Sequence, residues 1–517
     1  MFNKNINKLR YIPLIIIFII FGCKKNDIAQ SSNSEILSFS VDTLLFDTVF
    51  TTIGSTTRYL KVYNNSYENL NLDFIALNQG NDSSFKLNID GEANNLLENI
   101  MIRAQDSIYI FAEVTIDPNG TNSPLIEEDF IIFNYHNQFQ QVNLVAWGRD
   151  AYFHSGIPDF QQNNSNNLDS MQFSDFFNNI NPEISDDYFY FYSVKENTTW
   201  TNDKPHVVYG DLIIKEGVTL QIEQGCELYL HSNSWILVDS LSTFKSEGTL
   251  SSPVIIQSDR TDSHSIIDYS NNPGQWGKIW MLPGSRENYI NYTILKNGKV
   301  GLHVDGQNNI SNLPIEPVLT IKNSIIFNMS EFGILAQGSK IRGENLLVTN
   351  CGINLLNLNI GGDYDFKHCT FANFWPYTFR QTPSIYVNNY YEDNNGFFQE
   401  RDIVNANFNN SIITGSLENE IFLDKSENDN TLFNFNINYC YIKTSEEYWT
   451  NWDNNTFYGN ITDGEVSFKD YEIFDFMLDE GSVAIDVGDE SVASDVPVDI
   501  NGINRTSNPD LGCFESN

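Results

Sequence analysis

Apolar and polar positions follow two different rhythms along this chain, and the rhythm changes near residue 150. Residues 36–41, 58–63, 107–111 and 141–145 alternate one by one, and Asn64-Asn65 and Asp117-Pro118-Asn119-Gly120 mark turns between such runs. A period of two turns one face of a strand to a core and the other to water. Several short strands at this spacing predict an immunoglobulin-like β-sandwich over 36–150. Residues 151–204 are first rich in Asn, Asp, Ser and Gln and then aromatic from Tyr188 to Tyr192. They are expected to form an irregular joint followed by a strand that caps the next domain.

From Val207 the strands become very short. Leu212-Ile213-Ile214, Leu220-Gln221-Ile222, Leu228-Tyr229-Leu230 and Ile236-Leu237-Val238 are separated by Gly217, Gly225 and Ser232-Asn233-Ser234. Further on, one form repeats: Tyr292-Thr293-Ile294-Leu295, Asn323-Ser324-Ile325-Ile326, Glu344-Asn345-Leu346-Leu347, His368-Cys369-Thr370-Phe371, Asn410-Ser411-Ile412-Ile413 and Tyr439-Cys440-Tyr441-Ile442. The tightest steps, 325 to 346 and 346 to 370, suit one coil of three short strands plus turns. A second strand recurs between them, as at Val300-Gly301-Leu302 and Phe332-Gly333-Ile334. Asn323 and Asn410 suit an Asn turn or ladder just before an apolar strand. A leucine-rich repeat needs a denser LxxLxL frame, which is absent. The expected fold is all-β: a right-handed parallel β-helix over 205–480, closed by 481–517 and preceded by the sandwich.

Charge narrows the partners. The 517 residues carry 29 basic and 67 acidic side chains, a net charge of −38. Such a surface repels phosphate backbones and argues against nucleic acid as a partner. It admits weak Ca²⁺ association, but no cofactor is expected, and no cysteine or histidine spacing describes a metal site. The five cysteines after Cys23 have no regular spacing and read as buried free thiols.

The N-terminus carries an address. Lys4, Lys8 and Arg10 precede an apolar run from Ile12 to Phe21, too short to span a bilayer, and Gly22 precedes Cys23. This is the pattern of a secretory signal, 1–22. Ile20-Phe21-Gly22-Cys23 resembles the bacterial lipobox, which implies diacylglycerol attachment at Cys23 and a membrane held through that lipid. Residues 23–35 then read as a flexible tether. No Asp follows Cys23 directly, which favours the outer membrane; the periplasmic face and the cell surface both stay open.

Three longer stretches resemble a known class. Residues 210–253, with Gly217-Val218-Thr219-Leu220-Gln221-Ile222-Glu223-Gln224-Gly225, resemble the opening coils of pectate-lyase-like right-handed β-helix proteins. Pro273-Gly274-Gln275-Trp276-Gly277-Lys278-Ile279 resembles the coil that often follows. Ala484-Ile485-Asp486-Val487-Gly488-Asp489 with Pro509-Asp510-Leu511-Gly512-Cys513 resembles their closing segment. Taken whole, 36–515 is similar to a group of Bacteroidetes-type β-helix lipoproteins, a resemblance that implies architecture and transfers no catalytic residue. Asp106-Ser107-Ile108, Asp169-Ser170-Met171 and Asp239-Ser240-Leu241, like Asp42-Thr43-Leu44 and Asp47-Thr48-Val49, resemble the O-glycosylation pattern of exported proteins in that phylum.

Chemistry is sparse. No GxGxxG, P-loop, HExxH or Gly-His-Gly element is present, Asp186-Asp187 has no partner motif, and His303, His368 and Arg380 read as isolated surface or turn residues. No catalytic residue is assigned. The best ligand surface is the region 372–401, with Trp375, Tyr377, Arg380, Tyr390, Tyr391, Glu392 and Asp393. Aromatic faces stack on sugar rings, and Arg and carboxylates hold hydroxyls or uronates. The plainer alternative is that these rings cover the apolar flank of the coils, as Trp276 and Trp280 are expected to do. Three roles follow: a non-catalytic envelope lipoprotein that binds polysaccharide or envelope proteins, a polysaccharide lyase or glycoside hydrolase working along the helix face, or a structural part of an envelope assembly.

Overall fold

The computed structural model describes residues 37–51, 54–117, 125–135, 137–158, 167–172, 188–262, 268–306, 316–393, 395–427, 430–445, 457–505 and 507–516. The expected leader and tether, Cys23 included, lie outside these residues, as do 118–120 and Asp186-Asp187. The chain divides into two compact units. The described residues of the first are 37–49, 54–116 and 125–147; those of the second are 50–51, 117 and everything from 148 onward.

The first unit is two five-stranded sheets around one core. One sheet orders Ser38–Phe39, Arg58–Asn64, Asp106–Val114, Phe85–Ile89 and Glu92–Ala93 as antiparallel neighbours. The other orders Thr43–Phe50, Gln138–Arg149, Leu125–Tyr135, Leu70–Leu77 and Leu96–Ile102. Alternation explains the burial. In Asp106–Val114, Ile108, Ile110, Ala112 and Val114 are buried, while Tyr109, Phe111 and Glu113 face out. The buried set meets Leu60, Val62, Ile75, Ile131, Phe133 and Leu144 in a single apolar cluster.

The second unit is dominated by one sheet of 26 strands in which most pairings are parallel and join each strand to the one three further on. Three columns result. Column A runs through His206–Tyr209, Glu227–Leu230, Val254–Ser258 and Thr293–Lys296. Column B runs through Asp211–Ile214, Ile236–Val238, Ile279–Met281 and Val300–Asp305. Column C runs through Thr219–Ile222, Thr243–Glu247 and Asn288–Asn291. The return to one column is short: Ile325 pairs with Leu347, and Leu347 with Thr370. Each strand sends one or two apolar side chains into a shared interior. Leu212, Ile236, Ile279, Leu302, Ile334, Leu356, Ile385 and Ile421 are column B's contribution, all fully buried.

The repeated sequence form marks the corner from column C to column A. The corner residues Tyr292, Asn323, Asn345, His368, Asn410 and Tyr439 all have φ between 42° and 50°. In the third repeat the corner is Asn345 and not the leading Glu344, because Ile325 pairs with Leu347 rather than Leu346. A left-handed residue costs an L-amino acid about 1–2 kcal/mol, least for Asn, whose short amide bonds locally. Those amides also link successive turns: Asn345 Nδ2 donates to Asn323 Oδ1 at 2.9 Å, and Asn323 Nδ2 to Asn291 Oδ1 at 2.9 Å. The next position holds small polar atoms that repeat the device. Ser411 Oγ accepts from Cys369 N at 3.1 Å, and Cys440 Sγ accepts from Ser411 N at 3.3 Å. All five described cysteines are free and buried. Burial pushes Cys351, Cys440 and Cys513 up to about 12.

Two expected boundaries move. Tyr152–Ser155 already pairs in parallel with His206–Tyr209, and Tyr188–Val194 with Asp211–Ile214, so the expected joint supplies strands to the large sheet. In that aromatic run Phe191 is buried but Tyr190 is exposed, because successive side chains of the strand Tyr188–Val194 point to opposite faces of the sheet. At the other end, Val466, Phe468, Phe476 and Leu478 already belong to the covering layer, ahead of residue 481.

Candidate ligand-binding face

The region 372–401 does not form one surface. It leaves opposite ends of one column B strand, Ile385–Asn388: residues 374–384 connect column A to column B, and 389–402 connect column B to column C. In the first connection Trp375 and Tyr377 pack edge to face at 4.8 Å. Trp375 Nε1 donates to Thr378 Oγ1 at 3.0 Å, and the Tyr377 hydroxyl to the Asn271 carbonyl at 2.6 Å. These rings tile the corner between columns A and B.

Arg380 is no part of either surface. It is buried, and its guanidinium forks onto Glu420, donating from Nη1 to Oε2 at 2.8 Å and from Nη2 to Oε1. Glu420 is also held by Ser384 Oγ at 2.7 Å and Leu417 N at 2.7 Å. A lone Arg in sequence gave no sign of a carboxylate forty positions later. His303 and His368 are likewise buried rather than at the surface.

The second connection folds as a hairpin of Tyr390–Glu392 and Phe398–Glu400. Asp393 shapes its tip, accepting from Asn395 N at 2.9 Å and Phe397 N at 3.0 Å, and these bonds hold its carboxyl below the usual range. Tyr391 lies under the Arg401 guanidinium at 5.5 Å. Tyr390 donates to Asp424, which also accepts from Tyr386 at 2.7 Å. Glu392 is exposed at the hairpin's edge.

Those contacts lead onto the outer face of column B. Register lines up Trp280, His303, Leu335, Asn357, Tyr386 and Phe422 as one row. Trp280 and His303 stack at 4.7 Å and 4°, and Tyr386 and Phe422 at 5.9 Å and 11°. A second row holds Asp305, Gln337 and Asn359, then Asn388 beside Asp424. Strands about 4.8 Å apart thus present two ring pairs separated by Leu335 and Asn357, with the polar second row alongside. None of these row residues was singled out as a ligand group from sequence; Tyr390, which was, touches the rows only through Asp424. The signal is cross-strand register, and only pairing reveals it.

The Trp280 end carries a linked polar group. Lys278 Nζ donates to His303 Nδ1 at 2.9 Å, and His303 Nε2 lies 3.0 Å from Asp305 Oδ1. Trp280 Nε1 donates to the other Asp305 oxygen at 2.8 Å, and Lys278 Nζ sits 3.8 Å above the Trp280 ring. Burial lowers the Lys278 ammonium to about 8, against the opposite pull of Asp305. Among the described residues no cluster of His, Cys, Asp and Glu suits a metal ion.

A different titratable group plugs the interior. His154 and His206 meet at 2.9 Å and both stack on Trp200, at 4.1 and 4.5 Å. Burial holds His154 well below its ordinary value and lowers His206 to about 4.

No family model matches the chain, and no curated protein matches it. Solved structures align with parts of it. The PapD-like domain of human CEP192 shares 5% identity over 22% of this chain and 85% of its own, with a TM-score of 0.16. A family 123 glycoside hydrolase from Clostridium perfringens shares 7% over 23% of this chain and 30% of its own, at 0.17. A protein of unknown function from Porphyromonas gingivalis W83 shares 11% over 26% and 62%, at 0.17. The chain covers less than two thirds of the last two, and at these scores none of the three bears on fold or function.

Proposed function

We propose that this chain is an exported lipoprotein, held at the outer membrane through Cys23, in which a right-handed parallel β-helix follows an immunoglobulin-like sandwich and binds glycan without cleaving it. The three-column return every coil and the single-residue corners support the helix; the two five-stranded sheets support the sandwich. The observation that carries the binding role is the outer face of column B. Stacked rings offer apolar area to sugar faces, and Gln337, Asn359, Asn388 and Asp424 offer donors and acceptors to hydroxyls at the same spacing. The test uses soluble chain from Lys24 onward on a panel of neutral and acidic polysaccharides, with Ca²⁺ and with chelator. Retention without new chain ends, weakened about tenfold by Tyr386→Ala with Phe422→Ala, is the expected result. Unchanged retention in that double variant would remove the face from consideration.

One observation favours polysaccharide lyase as a second reading. An amine lowered to about 8 beside His303 and Asp305 is partly unprotonated near neutral pH, as a base for the proton next to a uronate carboxylate must be. That reading requires unsaturated ends whose yield rises with pH through about 8 and disappears in Lys278→Met. Absence of such ends at every pH leaves the non-catalytic role alone.

A further inference from the structure

The first unit presents chemistry that its own packing does not use. On the sheet that contains Asp106–Val114, the inward side chains fill the core, so the outward ones are free of that duty. Register places Tyr59 opposite Phe111 and Phe111 opposite Asn88, with Lys61 opposite Tyr109 and Glu113 opposite Lys86. Tyr59, Tyr109 and Phe111 are 53%, 40% and 38% exposed, and their centroids lie 5.7 to 6.1 Å apart. Three adjacent large rings exposed on one sheet face, with Lys61 Nζ 4.5 Å from the Tyr109 centroid and the Tyr59 and Phe111 rings beside it, mark an interaction surface.

Beside Phe111 the sheet edge opens into a cavity of about 740 Å³, within the range of small-molecule sites. Its wall joins the Phe111 side chain to Lys86, Glu113, Asn81, Asn88 and Asn94. Asn88 and Asn94 turn their carbonyl oxygens to the backbone N–H of Gly91 at 3.0 Å and Leu96 at 3.2 Å, which points their amide N–H₂ groups to other partners. Lys86 and Glu113 form no ion pair among the described residues and sit side by side with opposite charge.

We propose that this cavity and the adjoining rings form a carbohydrate site distinct from column B, taking a neutral oligosaccharide with one end beside Phe111 and the chain continuing over Tyr109 and Tyr59. Mixed donors and acceptors around an apolar ring are what a polyhydroxylated ring demands. The adjacent positive and negative groups cancel, so the lining selects neither an anionic nor a cationic ligand. On the cavity side the sheet ends on Glu92–Ala93, two residues long, and the next backbone N–H along that edge, that of Leu87, is already taken by Asn95 Oδ1 at 3.0 Å, so a peptide adding as a strand there would gain little backbone ladder. The two sites stand on separate observations.

The test is affinity electrophoresis of soluble chain from Lys24 onward that already carries Tyr386→Ala and Phe422→Ala, through gels of laminarin, xylan, galactomannan and hydroxyethylcellulose. At least one gel is expected to retard it, and Phe111→Ala to weaken that association about tenfold. Lys86→Ala with Glu113→Ala leaves the rings intact and is expected to weaken it as well, which covers the case in which Phe111→Ala disturbs folding. Oligomers of the retarding polysaccharide should protect backbone amides at 81–95 and 107–114 from hydrogen exchange. No retardation in any gel, or retardation indifferent to both variants, overturns the proposal.

Discussion

Columns A and B are built from one repeat, yet their outer faces carry opposite residues. On column A the outward row Ile325, Leu347, Thr370, Ile412 and Tyr441 is apolar but for Thr370, and residues 466–513 lie over it with Phe468, Phe476, Leu478, Ile500 and Leu511. On column B the outward positions from Trp280 onward are mostly rings and polar groups, with Leu335 among them, flanked by connections that leave from both strand ends. Both faces have the same pleat and strand spacing. The difference teaches that where parallel strands line up in columns the inward set specifies the packing, and the outward set decides what each side touches.

The largest effect expected from breaking this contrast is on the covered side. Phe476→Ala removes a fully buried ring from the layer over column A and should destabilise the chain by about 3–5 kcal/mol, read as a lower urea midpoint. A loss under about 1 kcal/mol would mean that the covering layer is not part of the cooperative unit. The next effect concerns the interior plug. The folded chain keeps His154 and His206 neutral, whereas the unfolded chain takes up protons below about 6.5. The contribution of this pair to stability should therefore fall as pH drops from about 6.5 toward 4, by up to about 3 kcal/mol for His206, and be constant above that window. His206→Gln should flatten the slope; an unchanged slope would locate the acid sensitivity elsewhere. The smallest effect belongs to the open face. Tyr386→Ala with Phe422→Ala should shift stability by less than about 1 kcal/mol while lowering glycan retention. A large fall in melting temperature would show these rings to be packing residues after all, and the contrast between the two faces would narrow.

Much of the architecture was legible because burial leaves a periodic trace. The four-residue form led by Tyr292, Asn323, His368, Asn410 and Tyr439 marks the left-handed corner itself, and only the repeat written from Glu344 is framed one residue early, its corner being Asn345. The region 372–401 was legible as aromatic and polar but not as divided, since nothing in its order shows that Ile385–Asn388 is a strand separating its halves. Arg380 misled for a related reason. An isolated charge in sequence reads as solvated, and its partner Glu420 belongs to the next coil. Lys278, His303 and Asp305 are spread over 28 positions, and pairing of Ile279–Met281 with Val300–Asp305 alone brings them together.

Local chemistry in the chain determined where strands begin and end, which of their positions face inward, and where left-handed corners fall, because alternation and Asn or Gly preference act over a few residues. The pairing of strands determined the rest: the ring rows of column B, the burial of Arg380, the cover over column A, and the three exposed rings beside a cavity in the first unit. Each of these joins residues from different coils or hairpins. Loop lengths between strands are irregular here, so the register that unites such residues is fixed only when the whole stack is packed.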